Sequence, residues 1–265
     1  MNADSFSKLL FSLKISGNAS TFYKLLSNSK KFKRHKRDGT IDLNDVSADK
    51  YLLNGSQGKF EIKMRTFKGD LSIFNEIFWR ETYRIPEKYV KNPEVIIDLG
   101  AHIGFTSLYF SRKYPTAKIY ALEASKQNFS LLEQNLKSFP HITPIQKAVY
   151  TQDGFILFDD SGLSYNTKIS DRGDEVEAVS INTLLNQYGI DKVDLMKIDI
   201  EGAEKDILGE NNEWLAKTEN IIIELHKPYG LENLKNDLEP FGFRIIKPDP
   251  TNGFQNIFAT RLKSQ

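Results

Sequence analysis

Cysteine is absent from the 265 residues. That excludes a disulfide framework, thiolate-ligated zinc, iron–sulfur clusters and a cysteine nucleophile. Histidine is scarce, with four copies, and none form an H-x-x-x-H or similar metal-binding spacing. No apolar run approaches the roughly 18–20 residues a membrane-spanning helix needs. There is no internal repeat and no low-complexity segment. Neither charge dominates: 36 Lys and Arg stand against 35 Asp and Glu, a net of +1. Nothing in that total argues for a general nucleic-acid binder. What is present is apolar material, 40% of the chain, enough for a sizeable core. The length suits one large domain, or a domain with an N-terminal extension.

The neutral total conceals a division. Residues 1–37 carry nine Lys and Arg against a single acid, Asp4, so the remainder has a net charge of −7. Phe6, Leu9, Leu10 and Leu13 fall on one face of a helix. Lys8 and Lys14 interrupt the apolar run, and no clean cleavage site follows, so it does not read as a signal peptide. The run Lys30-Lys31-Phe32-Lys33-Arg34-His35-Lys36-Arg37 is a solvated helix end, or a contact for an anionic surface. A basic extension over residues 1–60 and a main domain over 61–265 are the expected divisions. A cytoplasmic location fits the absence of cysteine.

Lys59–Arg65 alternates as a half-buried strand does, a helix is expected from Leu71 to Trp79, and Pro86 ends any helix nearby. From Glu94 onward, apolar runs alternate with helical stretches, the pattern of a parallel sheet covered on both faces. Strands are expected at Val95–Leu99, Lys118–Leu122, Ile142–Gln146, Val193–Ile198 and Ile221–Leu225. Helices are expected at Phe105–Lys113, Lys126–Ser138, Ile181–Gln187, Ala203–Trp214 and Leu231–Glu239. Phe155–Phe158 and Val176–Val179 read as an inserted hairpin. Phe243–Ile246 and Ile257–Thr260 flank the turn formers of 248–253 and should pair antiparallel.

In Val95-Ile96-Ile97-Asp98-Leu99-Gly100-Ala101-His102-Ile103-Gly104, a buried strand runs into a small-residue turn and a helix. Gly100 permits a tight turn and close ligand approach, and Gly104 permits helix–strand packing. Free N–H groups and the hydroxyls of Thr106 and Ser107 suit an anionic group. Glu123 ends the second strand, where a carboxylate can accept from both ribose hydroxyls. The loop is G-x-x-x-G, not the dinucleotide pattern G-x-G-x-x-G, since His102 and Phe105 replace glycine. Asp199 ends the fourth strand, Glu201 and Glu204 follow it, and Glu224 and His226 end the fifth. If these strands are neighbours, Asp199, Glu201, Glu224 and His226 share one rim. The two glutamates at 201 and 204 equally suit a helix N-terminus.

These segments resemble a known family. Asp98–Gly104 followed by Glu123 resembles the first motif and following acid of class I S-adenosylmethionine-dependent methyltransferases. Lys197-Ile198-Asp199-Ile200-Glu201-Gly202-Ala203-Glu204, followed by Ile221–His226, resembles the FkbM type, over about residues 70–262. The family usually has Asn where this chain has His102. The resemblance implies a Rossmann-like, doubly wound, mostly parallel α/β sheet with an antiparallel final strand. It implies that Gly100, Ala101, His102 and Gly104 line the methionine and ribose of S-adenosylmethionine. Glu123 would hold the ribose hydroxyls and Ala148 would lie at the adenine edge. Glu76 and Tyr83 sit in the segment that packs over the cofactor in this family, while Phe74, Ile77 and Phe78 read as core.

The reaction expected is methyl transfer to a hydroxyl of a sugar or of a glycosylated or polyketide-like small molecule. His226 is the natural base at neutral pH, oriented by Glu224 or Asp199. Two other divisions of labour stay open. Asp199 contacts the methionine amino group, or the acids ligate a divalent metal, the less favoured reading. The polar loop with Asp159, Ser161, Gly162, Ser164, Tyr165 and Asn166 reads as a lid or as exposed surface. A nicotinamide oxidoreductase and a non-catalytic cofactor-binding module are the competing classes. The missing fingerprint glycines and the lack of a Tyr-x-x-x-Lys pair oppose the first, and the acidic rim opposes the second.

Overall fold

The computed structural model describes residues 3–55, 58–85, 89–159, 161–165, 168–169, 171, 173–246 and 256–262. Pro86, Asn166 and the turn formers of 248–253 lie outside these. The chain begins with helices α1 (Ala3–Ile15) and α2 (Ala19–Asp38) and the hairpin β1 (Ala48–Gly55) with β2 (Gly58–Arg65). Asn18 starts α2 by accepting the Thr21 N–H at 2.8 Å. The alternation in β2 turns Ile62 and Met64 inward, where they join Tyr51, Leu53, Ile15 and Leu25 in one core with Leu71, Phe74 and Phe105. The division expected at residue 60 therefore falls inside a paired hairpin.

The helix expected at Leu71–Trp79 is split into α3 (Asp70–Phe74) and a π-helical turn, Asn75–Trp79. The Asn75 side chain donates to the Leu71 carbonyl and competes for the regular ladder. Such turns recur beside functional sites; this one carries Glu76.

There follow β3 (Val95–Leu99), α4 (Phe105–Lys113), β4 (Lys118–Leu122), α5 (Lys126–Leu136) and β5 (Ile142–Ile145). A small sheet comes next: β6 (Ala148–Val149), β7 (Gly154–Asp159), β8 (Lys168–Ile169) and β9 (Asp174–Val179). In it β7 and β9 pair antiparallel as the expected hairpin, with β8 added at the edge. The chain closes with α6 (Ile181–Gln187), β10 (Leu195–Ile198), α7 (Glu204–Gly209), β11 (Asn220–Ile223), α8 (Leu231–Leu238), β12 (Phe243–Ile246) and β13 (Ile257–Arg261). Helix α7 stops well before Trp214. Asn211 adopts φ 49°, the Asn212 side chain caps the Leu208 carbonyl, and a separate 3₁₀ turn carries Trp214 into the core.

The central sheet runs β12-β13-β11-β10-β3-β4-β5, parallel except for β13. Alternate strand residues serve two cores, Ile96 and Leu195 on one face and Ile97, Leu99, Met196 and Ile198 on the other. Full burial of each such side chain contributes roughly 1.5–3 kcal/mol. This is the Rossmann-like, doubly wound architecture. From β3 the chain runs outward through β4 and β5, then returns to β10 on the other side. The topological switch point thus lies between the ends of β3 and β10, where open α/β sheets bind ligands.

Candidate active site

Leu99 and Ile198 are register partners, so the turns after them meet at the switch point. Gly100 has φ 76°, and a Cβ there would lie 1.8 Å from the Asp199 carbonyl oxygen. Only glycine fits. Lys197, wholly buried, ties the two turns together: its Nζ lies 3.2 Å from Asp98 and 3.3 Å from Asp199, and it donates to the carbonyls of Leu99 and Gly100. Burial opposes charge on Lys197, but the two aspartates outweigh it and raise its pKa.

Above the switch point lie two adjoining cavities of about 100 and 410 Å³. Gly100, His102, Tyr165, Asp199 and Glu201 line both. The first extends to Glu123, Ala148 and Phe158. Glu123 is buried, and its carboxylate accepts the N–H groups of His102 (2.8 Å) and Ser125 (2.9 Å). Burial raises its pKa, opposed by His102 and these donors. Its oxygens retain further acceptor capacity at the cavity. A buried carboxylate, an apolar wall and a backbone that admits no side chain at residue 100 fit the ribose and base of a nucleoside.

The second cavity extends to Glu76, Tyr83, Ala101, Thr106 and Glu224. The Tyr83 hydroxyl donates to Asp199 at 2.9 Å, and its own ionisation is pushed far up by burial and by that carboxylate. Two expected residues face elsewhere. Ser107 is buried and its hydroxyl donates to Asp98 at 2.7 Å, so it is not available as an anion donor. Gly104, at φ 95°, meets Leu136 of α5 and serves packing.

Asp199, Glu201, Glu224 and His226 do converge. His226 Nε2 lies 3.6 Å from Glu201 and 4.0 Å from both Asp199 and Glu224. Its orienting partner is neither Glu224 nor Asp199. It is Glu204, fully buried at the start of α7 and 2.7 Å from Nδ1. Burial opposes charge on His226, but the Glu204 hydrogen bond and the surrounding carboxylates raise its pKa to about 9. These partners favour the imidazolium over the neutral ring that a base at neutral pH requires. Burial and Asp199 raise Glu224 to about 7, and burial with the neighbouring carboxylates does the same for Glu201. Burial also opposes ionisation of Asp199, yet Lys197, His226 and Tyr83 hold it below the usual carboxylate range. Acceptors of a proton near neutral pH are thus Glu201 and Glu224. Ligand atoms of Asp199, Glu201 and His226 lie within 4.8 Å of one another, close enough to share a cation.

One network carries little sequence signal. Buried Asp70 accepts from the Arg65 backbone and guanidinium and from the Ser164 hydroxyl. Ser164 also meets His102 Nε2 at 2.8 Å, and its carbonyl accepts from Asn128. These bonds hold Ser164 at the first cavity and Tyr165 over both, with the Tyr165 ring packed on Gly69. That part of the polar loop is a fixed wall, whereas Ser161 is exposed and bonds locally to Asp159. His102, in the place usual for Asn, joins the loop to this wall.

A doubly wound sheet with a cavity and an acidic rim at its switch point is the architecture of class I methyltransferases. Residues 98–247 match the methyltransferase FkbM domain, and the chain belongs to that family. It is 28% identical over 215 residues to methyltransferase sdnD of Sordaria araneosa, covering 66% of this chain and 82% of that protein. It is 24% identical to the hexuronic acid methyltransferase AglP of Haloferax volcanii, covering 56% and 62%. It is 20% identical to the 31-O-demethyl-FK506 methyltransferase FkbM of Streptomyces tacrolimicus, covering 67% and 84%.

Proposed function

We propose that this methyltransferase moves a methyl group from S-adenosylmethionine to a hydroxyl of a sugar or of a glycosylated or polyketide-like metabolite. Two relatives whose names specify a hexuronic acid and 31-O-demethyl-FK506 support that acceptor class. The observation that carries the reading is the acidic rim at the second cavity, contiguous with the nucleoside cavity through Gly100 and Asp199.

When bound, the cofactor supplies an electrophilic methyl on a sulfonium. Glu123 would hold the ribose hydroxyls, Ala148 would border the base, and Gly100 and Ala101 would give backbone approach. Asp199, held as a carboxylate by Lys197 and Tyr83, would face the positive end of the cofactor. Glu224 lines the second cavity and not the first, so it takes the proton of the acceptor hydroxyl. His226, held by Glu204, keeps a positive charge among the carboxylates and sets their ionisation. A cation entering the shared wall further favours the ionised forms of Glu201 and Glu224. Cofactor binding and base ionisation then reinforce one another. No metal is required for this division of roles.

Incubation with methyl-labelled cofactor and a panel of glycans, sugar nucleotides, uronic acids and macrolides tests the acceptor class. An O-methyl product from one of these is expected; label recovered only on nitrogen or carbon contradicts it. Glu123→Gln should weaken S-adenosylhomocysteine binding by about 10–100-fold, the value of hydrogen bonds to a charged group, while the fold survives. Calorimetry giving unchanged affinity would remove Glu123 from the cofactor site.

A further inference from the structure

Nine large apolar side chains are exposed among the described residues, and four of them lie in the first two helices: Phe6, Leu10, Leu13 and Tyr23. On α1 the first three are spaced four and three apart, so they form one stripe. They are 50%, 50% and 60% exposed. The helix's other face is already committed: Ile15 is buried, and Phe11 packs on Phe74. The stripe is thus surplus to the core. Trp79 stands beside α1, donating from its indole to Ser7, with Lys8 and Arg80 over its ring.

On α2, Tyr23, Ser27, Lys30, Arg34 and Arg37 are exposed at helical spacing along one face, with Lys33 exposed next to them. Lys30, Lys33 and Arg34 enter no ion pair among the described residues, and Arg37 pairs with its neighbour Asp38. Leu25 and Phe32 anchor the opposite face. The rest of the protein is net negative, so any attraction to an anionic surface is local to this helix pair.

We propose that α1 and α2 form a docking element for an anionic lipid surface. Phe6, Leu10 and Leu13 enter the boundary between headgroups and acyl chains, and Lys30, Lys33 and Arg34 meet lipid phosphates. Both features are needed for an interfacial helix: an apolar stripe for depth and cations for charge. A nucleic acid would use the cations and leave the stripe in water. No helix among the described residues is long and apolar enough to cross a membrane, so the contact is peripheral. Lys36, on the same helix, lines the second cavity.

Sedimentation of the full chain with vesicles tests this. Phosphatidylcholine vesicles containing phosphatidylglycerol should carry the protein down, increasingly so at low salt, and phosphatidylcholine alone should not. Lys30→Glu with Arg34→Glu, and separately Leu10→Asp with Leu13→Asp, should each lower the partition about tenfold or more. All four side chains are exposed, so thermal unfolding and S-adenosylhomocysteine affinity should match the wild type. No sedimentation with the anionic vesicles, sedimentation of both variants equal to that of the wild type, or retention of a duplex oligonucleotide in place of vesicles overturns the proposal.

Discussion

Glu224→Gln is expected to lower kcat by roughly 10²–10⁴-fold, the usual contribution of a positioned general base. Affinity for S-adenosylhomocysteine should change little, because Glu224 lines the second cavity and not the first. The pH profile separates this base from His226. A Glu224 carboxyl raised to about 7 by burial and by Asp199 must lose its proton before it can accept one. With wild-type protein, kcat/KM for the cofactor therefore falls as pH drops through about 7, the value without ligand, and is level above it. Were His226 the base, with its pKa raised to about 9 by Glu204 and its carboxylate neighbours, the rate would keep climbing toward that pH. A rising limb near 9 together with a Gln variant of full activity would transfer the role to the imidazole.

Gly100→Ala should have an effect of comparable size on stability and binding. The substituted Cβ would sit 1.8 Å from a backbone oxygen, and backbone cannot move aside as a flexible side chain can. Two turns that Lys197 clamps together would have to separate. A loss of about 3 kcal/mol or more in chemical denaturation is expected, with cofactor affinity falling beyond the stability loss. Gly202→Ala is the control. That residue also has positive φ, at 99°, but nothing lies within 4 Å of its Cβ site. It should cost only the strain, about 1 kcal/mol. Equal losses at the two positions would show that backbone conformation, not the close approach, restricts residue 100.

Much of this site is legible in the sequence because strand ends locate it. The apolar runs Val95–Leu99 and Ile221–Ile223 and the run ending at Ile198 are buried on both faces, so their type and order are plain. The residues just beyond them, Gly100, Asp199, Glu224 and His226, then fall together by topology. The antiparallel closing pair β12–β13 is equally plain from the turn formers between its two apolar runs. What the sequence hides depends on tertiary partners. Glu204 carries the charge of an ordinary helix start, and only its burial against His226 reveals its use. Asp70 and Ser164 are 94 residues apart, and nothing local links them. Element ends failed where side chains compete with the backbone, at Asn75 and at Asn211–Asn212. Charge sets residues 1–60 apart as a basic extension, while their inward residues Leu25, Tyr51 and Leu53 join the core that holds Phe74 and Phe105.

The most direct test of a carboxylate rim that faces a cationic cofactor is proton release on binding. Calorimetric titration near neutral pH, in two buffers of different ionisation enthalpy, compares S-adenosylmethionine with S-adenosylhomocysteine, which lacks the sulfonium charge. Both should bind. The cationic ligand should release more protons, because it lowers the pKa of Glu201 and Glu224, which stand at about 7 without it. That excess should disappear when both are replaced by Gln. Equal release by the two ligands, or binding of NAD in place of either, would contradict the account.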